Sequence, residues 1–163
     1  FKKSILKNDS LNWDDLRALR RLWPRKLLIK GTLHPDDARI AADCGVDGII
    51  VSNHGGRMLD SSMATINVLP AMVDAVGHRI TVMMDSGIRR GSDVVKALAL
   101  GAKAVLVGRA TLYGTAAAGE AGAARAIDIL REETDRIMGL LGVNSVAELD
   151  RRVLELPAVK TAN

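Results

Sequence analysis

The segment Ser52-Asn53-His54-Gly55-Gly56-Arg57-Met58-Leu59-Asp60 places an imidazole three residues before a guanidinium, directly after the short apolar run Gly48-Ile49-Ile50-Val51. A histidine exchanges a proton near neutral pH. An arginine stays charged and offers a planar fork matched to a carboxylate. Together they predict a base, His54, and an anion clamp, Arg57, on one loop. Ser52 and His54 alternate along the predicted strand, so period-two geometry places their side chains on one face. Gly55 and Gly56 would allow close backbone approach to a ligand. A lone histidine is more often structural, so the functional reading rests on its neighbours in the turn.

Three other apolar runs also end in polar residues. Lys30 closes Leu27-Leu28-Ile29-Lys30, where a rigidly held ammonium could stabilise a nearby negative charge; the rival reading is a lysine snorkelling out of the strand end. The run from Ile80 leads into Asp85-Ser86-Gly87-Ile88-Arg89-Arg90-Gly91-Ser92, and the fourth ends in Val107-Gly108-Arg109. Glycine-rich turns with free amides at a helix start make anion sites, which Arg89 and Arg109 would reinforce. The rival is arginines paired with helix ends.

The elements that must position these residues read as four strand-and-helix units, with strands at Leu27 to Lys30, Gly48 to Asn53, Ile80 to Asp85 and Ala104 to Arg109. Pro35-Asp36-Asp37 marks a helix start, and Gly45, Gly77 and Gly101 stand where helices stop. Alternating apolar strands and helices predict an α/β fold with parallel strands. Four units suit a small doubly wound sheet or half of an eight-stranded barrel. Polar residues at all four strand ends favour the half barrel. So does an opening at Phe1-Lys2-Lys3 with no initiator methionine, which is expected of a segment of something longer. A helical stretch is predicted at Trp13 to Trp23, a long helix at Ala121 to Leu141, and a short helical pattern with Pro157 in the tail from Ser145.

Among 163 residues, 48% are hydrophobic, enough for one domain with a core. No apolar run reaches the length of a membrane span, and the N-terminus lacks a secretory pattern. Cys44 is a single cysteine, read as a small buried thiol in a reducing compartment. The net charge of +4 comes partly from Arg17, Arg20, Arg21, Arg25 and Lys26, which form either a patch for anions or a solvated helix face. With 2% aromatic residues the chain has little to stack on bases, and no nucleic-acid partner is expected.

Taken together, Lys30-Gly31, Ser52-Asn53-His54-Gly55-Gly56-Arg57, Asp85-Ser86-Gly87-Ile88-Arg89-Arg90-Gly91 and Gly108-Arg109 resemble the C-terminal half of the FMN-dependent α-hydroxy acid dehydrogenase and oxidase family. The motifs occur in the family's order over roughly residues 11 to 142. Trp23-Pro24-Arg25-Lys26-Leu27-Leu28 and Arg109-Ala110-Thr111-Leu112-Tyr113-Gly114 are most similar to its membrane-associated, mandelate-type branch.

The resemblance implies a (β/α)₈ barrel of which this chain supplies strands five to eight. Residues 1–24 would end the connection between strands four and five, residues 25–120 would form four β/α units, and residues 121–163 would form C-terminal helices and a tail. It implies FMN as cofactor and oxidation of a mandelate-like or L-lactate-like 2-hydroxy acid to the 2-oxo acid. Lys30 would face the N1 side of the flavin and Ser52 would also contact it. His54 would be the catalytic base in contact with substrate, and Arg57 would hold the substrate carboxylate. Asp85, Ser86, Gly87, Ile88 and Arg89, with Gly108 and Arg109, would hold the ribityl chain and phosphate.

Implied partners are the N-terminal half of the barrel, carried on the same or a separate polypeptide, further copies of the chain with a tetramer as candidate, a membrane surface, and a quinone or other electron-transport acceptor. The implied location is cytoplasmic, or peripheral on the cytoplasmic face of the inner membrane, with Phe1 to Lys7 as the candidate contact. Ser86 replaces the glycine common in the oxidase branch, and Met58 stands where glutamine is frequent. The family's substrate-binding tyrosines and the aspartate that orients the histidine belong to the N-terminal half. Two rivals are an inosine-monophosphate-dehydrogenase-like barrel, which needs a cysteine nucleophile on a flexible loop, and a non-catalytic half-barrel that binds phosphate.

Overall fold

In the computed structural model, residues 10–155 are described; Phe1 to Lys7 and Pro157 lie outside them. Helix α1 (Trp13–Leu22) starts in a reciprocal cap. The Asn12 side chain accepts the Asp14 amide at 2.8 Å while Asp15 accepts the Asn12 amide at 2.9 Å, satisfying donors that a helix start leaves open. Pro24 follows its end and cannot extend it.

Strands β1 (Leu28–Thr32), β2 (Gly48–Val51) and β3 (Thr81–Met84) form a parallel sheet in the order β1-β2-β3. Helices α2 (Pro35–Asp43) and α3 (Thr65–Val76) make the crossovers, as parallel pairing demands. All four residues of β2 are buried, so this run carries no alternation. Gly48 is required where β2 crosses its neighbours, because a Cβ there would lie 2.6 Å from Leu28 and 2.7 Å from the Thr81 carbonyl.

The fourth predicted strand is shorter than the run Ala104 to Arg109. Lys103 N–H donates to the Val82 carbonyl at 2.8 Å and Leu106 N–H to the Met84 carbonyl at 2.9 Å, around a single Met84–Val105 bridge. Gly108 and Arg109 instead begin the next helix. The predicted strand over Gly48 to Asn53 likewise stops at Val51.

Helix α4 (Gly91–Ala99) packs against α5 (Arg109–Leu140). The latter is two helices joined at Ala118 and Gly119, whose backbone is non-helical. Its second segment corresponds to the helix predicted from Ala121, and the first to the helix of the fourth strand-and-helix unit. The predicted short helix in the tail is a pair of single turns, Val146–Glu148 and Arg151–Val153. Gly45 and Gly101 follow the ends of α2 and α4, and Gly77 closes α3.

The main core lies between sheet and helices, with Ile49, Val51, Leu69, Met72, Val76, Val82 and Met84 almost wholly buried. Truncating Leu69 or Met72 to alanine would cost about 2–5 kcal/mol. A second cluster, Val95, Ala99, Met138 and Leu149, joins α4 to the second part of α5.

At the sheet's opposite end from the predicted site, Asp47 ties α1 to the start of β1. It accepts Lys26 Nζ at 2.7 Å, the Leu27 amide at 2.9 Å and Arg20 at 3.0 Å. Arg17 pairs with Asp14. Three members of the basic cluster are thus engaged within the chain, which favours the helix-face reading. Hydrogen bonds from Lys26 and the Leu27 amide hold the Asp47 carboxyl down at about 2.

A carboxyl lowered on folding binds fewer protons in the native state than in the unfolded one, so its contribution is present above 3.8 and is lost as pH falls through about 2. The Asp47→Asn variant should therefore be less stable at neutral pH and lose less stability on acidification across that window. Urea midpoints measured as a function of pH check this; parallel curves for the two proteins would count against it.

Candidate functional site

The polar ends of β1, β2 and β3 meet in a closed ring of hydrogen bonds. Lys30, the third residue of β1, is half-exposed, and its Nζ lies 2.8 Å from Asp85 Oδ2 and 2.8 Å from Ser52 Oγ. Asp85 follows β3 directly, and its amide donates to the Val51 carbonyl at 3.0 Å. The Ser86 hydroxyl donates to Asp85 Oδ1 at 2.8 Å and accepts the Gly55 amide at 3.1 Å. The adjacent His54 amide donates to Ser52 Oγ at 3.1 Å, returning the circuit to Lys30. Ser52 is 1% exposed, and its oxygen is satisfied by these donors, as a buried hydroxyl requires.

Burial is the largest single influence on the Asp85 carboxyl and raises its pKa. Hydrogen bonds from Lys30, Ser52 and Ser86, with the Lys30 charge, outweigh it and hold the group below the usual carboxylate range. Asp85 is therefore an anion at neutral pH and the Lys30 ammonium has its counter-ion inside the protein.

His54 is positioned by a turn rather than by strand alternation. The Asn53 side chain accepts the Gly55 amide at 2.9 Å and donates to the Met63 carbonyl at 3.2 Å. This bends the chain into a tight turn at His54–Gly56, and His54 takes a φ of +55°, which few non-glycine residues adopt. Its exposed ring packs against Gly31 of β1, where a Cβ would sit 3.0 Å from His54 Cε1. Gly31 has a φ of +105° and marks a register shift between β1 and β2, so glycine there serves both bulge and histidine. Arg57 is exposed, and its Nε donates to the His54 carbonyl at 3.2 Å. The two residues predicted on one loop are thus joined through the His54 backbone.

Ile88 sits differently from expectation. Its side chain is 5% exposed and belongs to the main core, so only its backbone can face a ligand. The anion site expected at the start of α4 is also already filled by carboxylates. Asp93 accepts the Arg89 and Arg90 amides, each at 3.0 Å, while Glu133 accepts the Gly91 amide at 2.8 Å and pairs with Arg90 at 2.7 Å. The Arg90 bond, then the Gly91 amide, hold the Glu133 carboxyl below its ordinary value. The open helix start is instead that of α5, whose N-cap Gly108 supplies no side chain. Exposed Arg109 reaches back to the Gly55 carbonyl at 3.1 Å, joining the fourth strand end to the His54 loop.

Thr65, Asp93 and Glu133 were not anticipated as parts of this arrangement. Thr65 is 2% exposed, and its hydroxyl lies 2.8 Å from the Asp85 carbonyl and 3.1 Å from that of Ser86, pinning the turn after β3. A buried-type threonine heading an amphipathic helix was the only available signal. Cys44 is buried at the end of α2, far from the mobile-loop setting a nucleophile would need. No group of His, Cys, Asp and Glu among the described residues could hold a metal ion.

A model of the FMN-dependent dehydrogenase family matches residues 2–156. L-lactate dehydrogenase from Caulobacter vibrioides is 50% identical over 145 residues, 89% of this chain and 38% of that protein. 2-Hydroxyacid oxidase 1 of Mus musculus is also 50% identical over 145 residues, 89% of this chain and 39% of that protein. The crystal structure of the monotopic membrane protein (S)-mandelate dehydrogenase superposes with a TM-score of 0.89 at 48% identity, covering 94% of this chain and 40% of that one. The chain spans about two fifths of the length of the proteins it matches, and its parallel sheet and helices correspond to part of their (β/α)₈ barrel. The chain belongs to the FMN-dependent dehydrogenase family.

Proposed function

We propose that this chain supplies the C-terminal half of a (β/α)₈ barrel that oxidises a 2-hydroxy acid, mandelate-like or L-lactate-like, to the 2-oxo acid with FMN as cofactor. The observation that carries the proposal is the closed ring through Lys30, Asp85, Ser86, Gly55, His54 and Ser52, with Arg57 bonded to the same loop. It holds a base and a carboxylate clamp beside a fixed cation.

The residues present fit FMN. The half-exposed Lys30 ammonium suits the negative charge that a reduced flavin carries. The uncapped start of α5 and the exposed Arg89 suit a phosphate. At Gly87, with a φ of +84°, the space a Cβ would fill is open within 4 Å, leaving room for a ligand against the backbone. In this reading Lys30 and Ser52 contact the flavin, and Asp85, Ser86, Gly87, the Ile88 backbone, Arg89, Gly108 and Arg109 line its ribityl chain and phosphate. When bound, FMN supplies a two-electron acceptor.

Arg57 holds the substrate carboxylate by a bidentate pair. The His54 imidazole takes a proton from the substrate, either from its α-carbon or from its hydroxyl oxygen. Lys30, fixed between Asp85 and Ser52, keeps a positive charge where negative charge accumulates.

The proposal extends to an N-terminal half, on the same or a separate polypeptide, completing the barrel. Exposed Leu28 at one sheet edge and Leu106 at the other support it, since open apolar edges invite pairing. It extends also to a homo-oligomer and to a peripheral position on the cytoplasmic face of the inner membrane with an electron-transport acceptor such as a quinone. The support for the membrane is likeness to a monotopic membrane protein; no helix among the described residues is long and apolar enough to cross a bilayer.

In the complete enzyme, His54→Ala should leave flavin bound and slow its reduction by substrate about 10²–10⁴-fold. Stopped-flow bleaching of the flavin absorbance measures it, and an unchanged rate removes His54 from the reaction. Arg57→Lys should weaken substrate binding by roughly 1.5–3 kcal/mol, because a point charge cannot replace a fork. A substrate dissociation constant matching the parent's would show that the carboxylate lies elsewhere.

A further inference from the structure

We infer that the Ser86 hydroxyl is a positioning residue for His54. The inference rests on the proposed role of His54 as base. Among the described residues, His54 and Ser86 are the two non-glycine residues with positive φ, +55° and +69°. One hydrogen bond links them: the amide of Gly55, the residue after His54, donates to Ser86 Oγ at 3.1 Å. Neither conformation is favoured by an L residue, so each must be held by its surroundings.

The hydroxyl has one proton and two lone pairs, and the arrangement uses them consistently. The proton goes to Asp85 Oδ1 at 2.8 Å, and a lone pair takes the Gly55 amide. Asp85 is in turn fixed by Lys30 Nζ, and the Ser86 carbonyl by Thr65. The Gly55 amide also reaches Asn53 Oδ1 at 2.9 Å, but Asn53 belongs to the same loop and cannot anchor it to another strand. Ser86 supplies the side-chain tie from the turn after β3 to the turn that carries His54. A glycine at this position would adopt the same backbone with less strain and would lack that tie. Serine is therefore explained by its oxygen rather than by its backbone.

Two substitutions separate these contributions in the complete, FMN-saturated enzyme. Ser86→Gly removes the hydroxyl and relieves the backbone; Ser86→Ala removes the hydroxyl and keeps the strain. Both should slow flavin reduction by substrate by about tenfold, as expected for a misplaced catalytic group. Both should also accelerate hydrogen exchange at the Gly55 amide, while the thermal midpoint of Ser86→Gly stays at or above that of the parent. A Ser86→Gly enzyme with parental rate and parental Gly55 exchange would overturn the inference, as would a slowed rate with Gly55 protection intact. His54→Ala run alongside separates the two levels: normal reduction in that variant would remove the role of His54 itself, whereas its loss beside an unaffected Ser86→Gly enzyme would remove only the role of Ser86.

Discussion

Everything at the carboxyl ends of the strands depends on one shared ammonium. Lys30 Nζ sits at 2.8 Å from both Asp85 Oδ2 and Ser52 Oγ, and these three groups follow from three different strands. Parallel pairing places the strand ends side by side, but it does not orient the loops that leave them. The ion pair does so. The lysine is half-exposed, yet its ammonium is held between two partners at the ends of the neighbouring strands. The pair is partly exposed, so its net contribution to folding is small. Its consequence is geometric: moving any one of the three groups leaves a charge or a buried hydroxyl without its partner, which costs more than the pair returns.

The sheet and the site were legible in the sequence to different depths. Gly48 to Val51 declared a buried strand because four small or β-branched residues have no other use between two turns. Lys30, Ser52, His54, Asp85 and Arg109 were legible as residues at strand ends. What joins them was not. The strand pattern predicted that His54 continues the alternation begun by Ser52, and the Asn53 side chain overrides it by capturing the Gly55 amide at 2.9 Å. A local side-chain bond won over strand propensity there. Glu133 was illegible for a different reason. It closes the start of α4 from 42 positions away in the chain, and no spacing rule links the two. The same bond fills the start of α4, where the glycine-rich motif pointed, and leaves the start of α5 as the one without a side-chain cap.

That displacement has an electrostatic logic. Two helix starts with free amides would both draw anions, and on the proposed reading each would compete for the phosphate. Asp93 and Glu133 accept the amides at the start of α4, and Glu133 also engages the Arg90 guanidinium at 2.7 Å. On the proposed reading, Arg89 and the start of α5 are the positive elements left for the phosphate. The arginine pair in Arg89-Arg90 thus divides between an exposed residue and one bound to Glu133. The sequence motif treats them alike, and only the partner carboxylate distinguishes them.

The arrangement also explains why so little of the chain fixes so much of the site. Backbone and short side chains, Ser52, Asn53, Thr65, Asp85 and Ser86, make the connections, and each has few rotatable bonds to immobilise. The long side chains of Arg57 and Arg109 are exposed and rest on that frame through the His54 and Gly55 carbonyls, and Arg89 is exposed beside it. Rigidity sits in the frame and adaptability in its periphery, a division suited to holding a cofactor in one pose while admitting and releasing a small acid. On the proposed reading, the surface that selects the acid belongs to the other half of the barrel. The half described here would then determine where a proton leaves and where negative charge accumulates, whichever 2-hydroxy acid the other half admits.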